Sequence, residues 1–168
     1  MLLSSKDSIL LIVDAQEKLL PAIHQRDNVT SRMRWLAEIA LQLDIPVLIT
    51  EQYPKGLGYT VSALQEIIES ARVVEKTHFS AMQEQSFRDV LSDYDKKQVV
   101  IMGMETHVCV LQTAIEMKQE GYQVFLPSDC VGSRRPNDKD SAITRMRDNN
   151  VEIITSEMAA FEWLHKSG

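Results

Sequence analysis

Three side chains in this sequence have the types needed to run nucleophilic chemistry together: Asp14, Lys76 and Cys109. Asp14 closes the apolar run Ile9–Val13. Lys76 follows the run Arg72–Glu75, and Cys109 lies beyond Gln98–Met102 and the turn at Gly103. A free thiol titrates at about pH 8.5, so it is mostly protonated at neutral pH. A carboxylate within hydrogen-bond reach can take its proton. An ammonium beside both keeps the carboxylate ionised and favours the thiolate. The thiolate attacks a carbonyl or nitrile carbon, and water resolves the thioester-type intermediate. The protonated carboxyl returns its proton to a leaving amine.

The segment Val99-Val100-Ile101-Met102-Gly103-Met104-Glu105-Thr106-His107-Val108-Cys109-Val110 reads as a strand buried on both faces, a tight turn and a helix start. Thr106 is predicted to cap that helix by accepting from the N–H of Cys109. Val108, Leu111, Ala114, Ile115 and Lys118 follow at helical spacing with one mainly apolar face. A thiol in the first turn meets the positive end of the helix dipole, which favours thiolate. The amides of such a turn also donate readily to a developing oxyanion. Each residue has a plainer alternative. Cys109 fits a small core hydrophobe, Asp14 a helix cap and Lys76 a solvated lysine.

The elements that would position these groups alternate along the chain. Apolar runs at Ile9–Val13, Pro46–Thr50, Arg72–Glu75, Gln98–Met102, Tyr122–Leu126 and Val151–Thr155 are rich in Val and Ile. Most lack alternation, which predicts parallel strands covered on both faces. Amphipathic stretches lie near Val29–Leu43, Val61–Ser70, Gln85–Tyr94, His107–Glu120, Asp138–Asn149 and Glu157–His165. The expected fold is an α/β three-layer sandwich with a six-stranded, mainly parallel sheet in Rossmann-like order. Strand carboxyl ends converge in such a sheet, so Asp14, Lys76 and Cys109 can share one cleft. The irregular stretch Glu51–Tyr59 follows the second strand at the same edge and reads as a binding loop.

The 168 residues suit a single domain over 1–168. The formal net charge of −6, with no block of Lys or Arg, disfavours nucleic acid and membrane-surface partners. Cys109 and Cys130 are the only cysteines, which fits a reducing compartment, and Cys130 reads as structural. No signal peptide is apparent, so a cytoplasmic location is expected. Neither GxGxxG nor GxxxxGK[ST] occurs, and His24, His78, His107 and His165 form no ligand pair. No cofactor and no metal are therefore expected.

Three motifs resemble the isochorismatase-like hydrolases, the superfamily of nicotinamidase, N-carbamoylsarcosine amidase and isochorismatase. They are Leu11-Ile12-Val13-Asp14-Ala15-Gln16, Glu75-Lys76-Thr77-His78-Phe79-Ser80 and Gly103-Met104-Glu105-Thr106-His107-Val108-Cys109-Val110. The loop Thr50-Glu51-Gln52-Tyr53-Pro54-Lys55-Gly56-Leu57-Gly58 is similar to that of the isochorismatase domain-containing subgroup. The resemblance implies a triad of Asp14, Lys76 and Cys109. It also implies a non-proline cis peptide at Met104–Glu105 and an oxyanion hole from the backbone N–H groups of Glu105 and Cys109. Nicotinamidases carry an Asp and two His after the second strand for a divalent metal, whereas this chain has Glu51, Gln52 and Tyr53 there. The retained Cys109 argues for hydrolysis of a small amide, imide or related C–N substrate. A vinyl-ether hydrolase and a non-catalytic oligomeric interaction protein stay open as alternatives. Gln16, Gln52, Tyr53, Phe79 and His107 are candidates to bind the small-molecule substrate. A homo-oligomer, dimer or tetramer, is expected from the resemblance. The apolar tail Met158–Leu164 is available to pack on a neighbour or on its own sheet.

Overall fold

The apolar runs become the strands of one parallel sheet in the computed structural model, which describes residues 1–168. They are β1 (Ser8–Val13), β2 (Val47–Gln52), β3 (Arg72–Lys76), β4 (Gln98–Met104), β5 (Gln123–Pro127), β6 (Val131–Gly132) and β7 (Glu152–Ile154). Every residue of β1, β2 and β4 is buried, which is why these strands carry no alternation. The strand order is β3-β2-β1-β4-β5-β7, with β6 paired to the end of β4. All six strand pairings are parallel.

Helices cover both faces. They are α1 (Arg26–Gln42), α2 (Pro54–Leu57), α3 (Gln65–Ser70), α4 (Gln85–Asp93), α5 (Leu111–Gln119), α6 (Pro136–Asp148) and α7 (Ser156–Leu164). On α1 the buried Val29, Met33, Leu36, Ala37 and Ala40 recur at helical spacing. This helix packs against α3 and α7, while α5 packs against α6. The buried apolar side chains form one continuous cluster of 47 residues, so there is a single core. No helix is long and apolar enough to cross a membrane.

The chain winds from β1 outward to β3, then returns to β4 and winds the other way. The crevice between the carboxyl ends of β1 and β4 is thus the switch point where such sheets bind ligands. Gly103 sets the closeness of these two ends. It pairs with Val13 and adopts φ +131, and a Cβ there would lie 2.0 Å from the Val13 carbonyl oxygen. Only glycine fits both requirements.

The structure departs from the sequence reading in three places. A seventh strand, β6, appears because Val131–Gly132 pairs with Gly103 and Met104; two residues are too few to show a period. The loop after β2 is less irregular than expected. β2 runs on to Gln52, and Pro54 starts a one-turn helix. The helix after β4 opens as a π-helical turn, Thr106–Val110, before continuing as α5.

Candidate active site

Asp14 follows the last residue of β1 in a left-handed conformation, φ 51, which Asp tolerates better than most residues. It caps no helix, since α1 does not begin until Arg26. Its Oδ1 accepts a hydrogen bond from Thr50 Oγ1 at 2.8 Å, and its Oδ2 lies 2.9 Å from Lys76 Nζ. Lys76 ends β3 and is buried rather than solvated. Cys109 sits in the π-helical turn after β4, beside Asp14. The structure therefore brings all three together, with Asp14 0 %, Lys76 3 % and Cys109 6 % exposed.

The lysine is held by more than its carboxylate. Its Nζ donates to Gln52 Oε1 at 2.6 Å, to the His78 carbonyl at 3.0 Å and to the Phe79 carbonyl at 2.8 Å. An ammonium has three hydrogens, and these acceptors use all of them. Asp14 Oδ2 stands 2.9 Å away as a fourth neighbour of the ammonium, and side-chain contacts with Lys76 and Cys109 both favour the ionised carboxyl. Lys76 thus supplies positive charge to Asp14, whose oxygens keep lone pairs for a proton.

Glu84 supports this cradle from outside and is not evident from the sequence. Its Oε1 accepts from the backbone N–H of Thr77 at 2.8 Å and of His78 at 3.0 Å, and lies 2.9 Å from His78 Nδ1. These bonds hold its carboxyl down at about 2. They fix the 77–79 loop whose carbonyls grip Lys76.

Burial opposes the helix-dipole effect expected at Cys109. Burial pushes the Cys109 thiol up to about 12, and the charge of Asp14 adds to the rise; Lys76 opposes it. These effects favour the thiol form, against the pull of the helix terminus. Burial also raises the Asp14 carboxyl, against the lowering effects of Lys76, Cys109 and Thr50. A raised carboxyl is a stronger proton acceptor.

The Met104–Glu105 peptide bond is cis, and the Glu105 N–H donates to no protein acceptor. Glu105 caps the π-helical turn through its carbonyl, which accepts from Val108 at 3.1 Å and Val110 at 3.3 Å. Thr106 therefore lies inside the turn and does not cap it. Its buried Oγ1 has no partner, contrary to the expected bond from Cys109 N–H. The Glu105 side chain is tied outward. Its Oε1 accepts from the Arg134 N–H at 3.2 Å, and its Oε2 pairs with Arg134 Nε at 3.3 Å.

The proposed substrate contacts divide into three kinds. Gln16 is wholly buried, and its amide holds the backbone of Gln52 at 2.7 and 2.9 Å and the Gly58 carbonyl at 2.8 Å. Gln52 bridges Lys76 Nζ and the Thr77 carbonyl. These two amides are committed to positioning the strand ends and are not free for substrate. Tyr53 and Phe79 keep exposed rings on segments whose backbones touch Lys76. His107 turns toward the start of α6, with Nδ1 2.9 Å from Ser133 Oγ and Nε2 3.8 Å from Asp138. Cys130 is buried against Asp129, as its structural reading requires. No cluster of three or more His, Cys, Asp and Glu side chains could hold a metal ion.

A doubly wound parallel sheet with a buried Asp–Lys pair and a thiol at its switch point defines an α/β protein of hydrolytic type. The chain belongs to the isochorismatase family: the isochorismatase domain matches residues 8–158. It is 39 % identical over 155 residues to isochorismatase domain-containing protein 2 of Danio rerio, covering 92 % of this chain and 78 % of that one. Among solved structures, the MAR1 ribonuclease of Caenorhabditis elegans superposes with a TM-score of 0.93 at 34 % identity, over 99 % of this chain and 86 % of that one. The YcaC gene product of Escherichia coli, an octameric hydrolase of unknown specificity, gives 0.94 at 25 % identity, over 99 % and 83 %.

Proposed function

We propose that the chain is a cysteine-dependent hydrolase of a small amide, imide or related C–N compound. The observation that carries this reading is the buried Asp14 carboxylate, 2.9 Å from the Lys76 ammonium and in side-chain contact with the Cys109 thiol. Asp14 takes the thiol proton as Sγ bonds to the substrate carbon. The oxyanion that forms is met by the N–H groups of Glu105 and Cys109. The C–N bond then breaks, and Asp14 returns its proton to the departing nitrogen. Water next gives a proton to Asp14 and attacks the thioester. The Sγ leaves and recovers that proton, which completes the cycle.

The exposed rings of Tyr53 and Phe79 are proposed to meet the substrate at the mouth. The net charge of −6 argues against a polyanion in this cleft, although a relative is named as a ribonuclease. The reduced thiols fit a cytoplasmic enzyme, and the octameric YcaC relative supports a homo-oligomer. The test is a substrate panel of amides, ureides, imides, a vinyl ether and short RNA, run with wild type and Cys109→Ala. Turnover of a C–N member by wild type, with an acyl adduct on Cys109 by mass and none in the variant, is expected. Undiminished turnover by Cys109→Ala would refute the mechanism.

A further inference from the structure

The ammonium and the thiol come from distant parts of the sheet. Lys76 ends the edge strand β3, and Cys109 follows β4, with β2 and β1 lying between. Adjacent strands are spaced about 4.8 Å apart, so the two strands stand roughly 14 Å apart. The sheet alone thus sets Lys76 against Cys109 only through two other strands. The segment after Lys76 supplies a direct tie. It crosses to α5, the helix that continues the nucleophile turn. Phe79, whose carbonyl accepts from Lys76 Nζ at 2.8 Å, is followed at once by Ser80 and Ala81. Ser80 Oγ donates to Glu116 Oε2 at 2.6 Å and accepts from the Met82 N–H at 3.2 Å. The Ala81 N–H donates to Thr113 Oγ1 at 3.0 Å. Gln83 Nε2 lies 3.0 Å from both Glu116 oxygens.

We infer that Thr113 and Glu116 are positioning residues: through the 79–83 segment they set the distance between the Lys76 ammonium and the Cys109 thiol. The two lie four and seven positions after Cys109, the spacing of one helix face. The face that carries the nucleophile at its start therefore carries the anchors of the lysine cradle further along. Glu84 grips the other end of the same cradle through the N–H groups of Thr77 and His78. The carbonyls that hold Lys76 lie between these two anchorages.

The type of contact supports a role in register. Apolar packing would seat this turn on α5 without fixing its position along the helix. Hydrogen bonds have direction, and Ser80, Ala81 and Thr113 are buried, so their bonds are shielded from water. A slip of one residue would leave the Ala81 N–H buried and unpaired. Neither Thr113 nor Glu116 is among the polar groups that meet the thiol or the Asp14 carboxyl. Any effect of theirs on Cys109 must therefore pass through Lys76.

Modification of Cys109 by iodoacetamide, read by intact mass, tests this without any substrate. Thr113→Val and Glu116→Ala should each slow it about threefold, less than Lys76→Met does. Thr113→Ser and Glu116→Gln keep an acceptor and should recover most of the rate. The deciding measurement repeats Thr113→Val and Glu116→Ala over Lys76→Met. With no ammonium to position, neither should slow modification further, whereas a purely structural role predicts the same loss with or without Lys76. A slowing that persists in full over Lys76→Met overturns the inference, as does the absence of any slowing. Circular dichroism confirms folding of each variant. Glu116 is only half-buried, so Glu116→Ala decides the matter if Thr113→Val fails to fold. The effect on turnover rests on the hydrolase reading above: kcat should fall about tenfold with KM unchanged. A raised KM with kcat unchanged would place the two residues in substrate binding and overturn the inference. A wild type that turns over no C–N compound, with the modification rates as expected, overturns the hydrolase reading and leaves the positioning role standing.

Discussion

The state of the Cys109 thiol gives the sharpest test, because burial and the helix position pull it in opposite directions. Burial and the Asp14 charge carry it from its ordinary 9.0 to about 12. The thiolate fraction at pH 8 is then about a thousandfold below that of a free cysteine. Iodoacetamide modification followed by intact mass reads this fraction directly. The rate constant should climb about tenfold per pH unit from pH 7 to 10 without a plateau, since the nucleophile is the thiolate. Lys76→Met removes a cation that favours the thiolate, so the rate should fall at every pH. Asp14→Asn removes an anion that opposes it, so modification should quicken even as turnover is abolished. Those opposite effects of one substitution separate charge from catalysis. A plateau below pH 8 would show a preformed thiolate. It would refute proton transfer to Asp14 during attack.

Four further outcomes follow from particular contacts. Glu84 titrates lower in the folded chain, at about 2 against an ordinary 4.5. Its contribution to stability is full above pH 4.5 and is lost as pH falls toward 2. Urea midpoints should therefore fall more steeply between about pH 7 and about pH 3 for wild type than for Glu84→Gln. Gly103→Ala sets a Cβ 2.0 Å from the Val13 oxygen at φ +131, and should cost at least about 3 kcal/mol in denaturant unfolding. Thr50→Val deletes a bond that lowers the Asp14 carboxyl, so the acid limb of the kcat profile should move to higher pH. Arg134→Met frees the Glu105 side chain. It should lower kcat by about tenfold with KM unchanged, and Arg134→Lys should recover part of the loss.

The central sheet was legible because strands buried on both faces write themselves as unbroken Val/Ile runs. Asp14, Lys76 and Cys109 were legible because each sits at or just beyond the end of such a run. The supporting polar groups were not. Gln16 reads like a substrate ligand until the backbone of Gln52 and the carbonyl of Gly58 are seen to occupy its amide. Glu84 lies in an unremarkable polar stretch, and its partners are amides of a loop that no period marks. Thr106 has the composition of a cap, yet the turn starts one residue earlier, and composition cannot fix a terminus to that accuracy. The titration of Cys109 is hard to read from sequence for a different reason. A helix terminus has one sign, but burial and a neighbouring carboxylate both oppose it, and neither is visible without coordinates.

The roles of lysine and aspartate at this site follow from how Lys76 is held. Gln52 Oε1 and the carbonyls of His78 and Phe79 accept from its ammonium and fix it 2.9 Å from Asp14 Oδ2. Its charge lowers the cost of keeping a carboxylate in a buried site, and it stabilises negative charge wherever it develops nearby. A carboxylate oxygen has more than one lone pair, so an Asp14 oxygen beside the ammonium can still take a proton. Burial raises the Asp14 carboxyl and the Cys109 thiol alike, so moving a proton between them is costly until a substrate carbon offers Sγ a bond. Gln52, which touches neither reacting atom, is thus a positioning residue for the ammonium that both groups face.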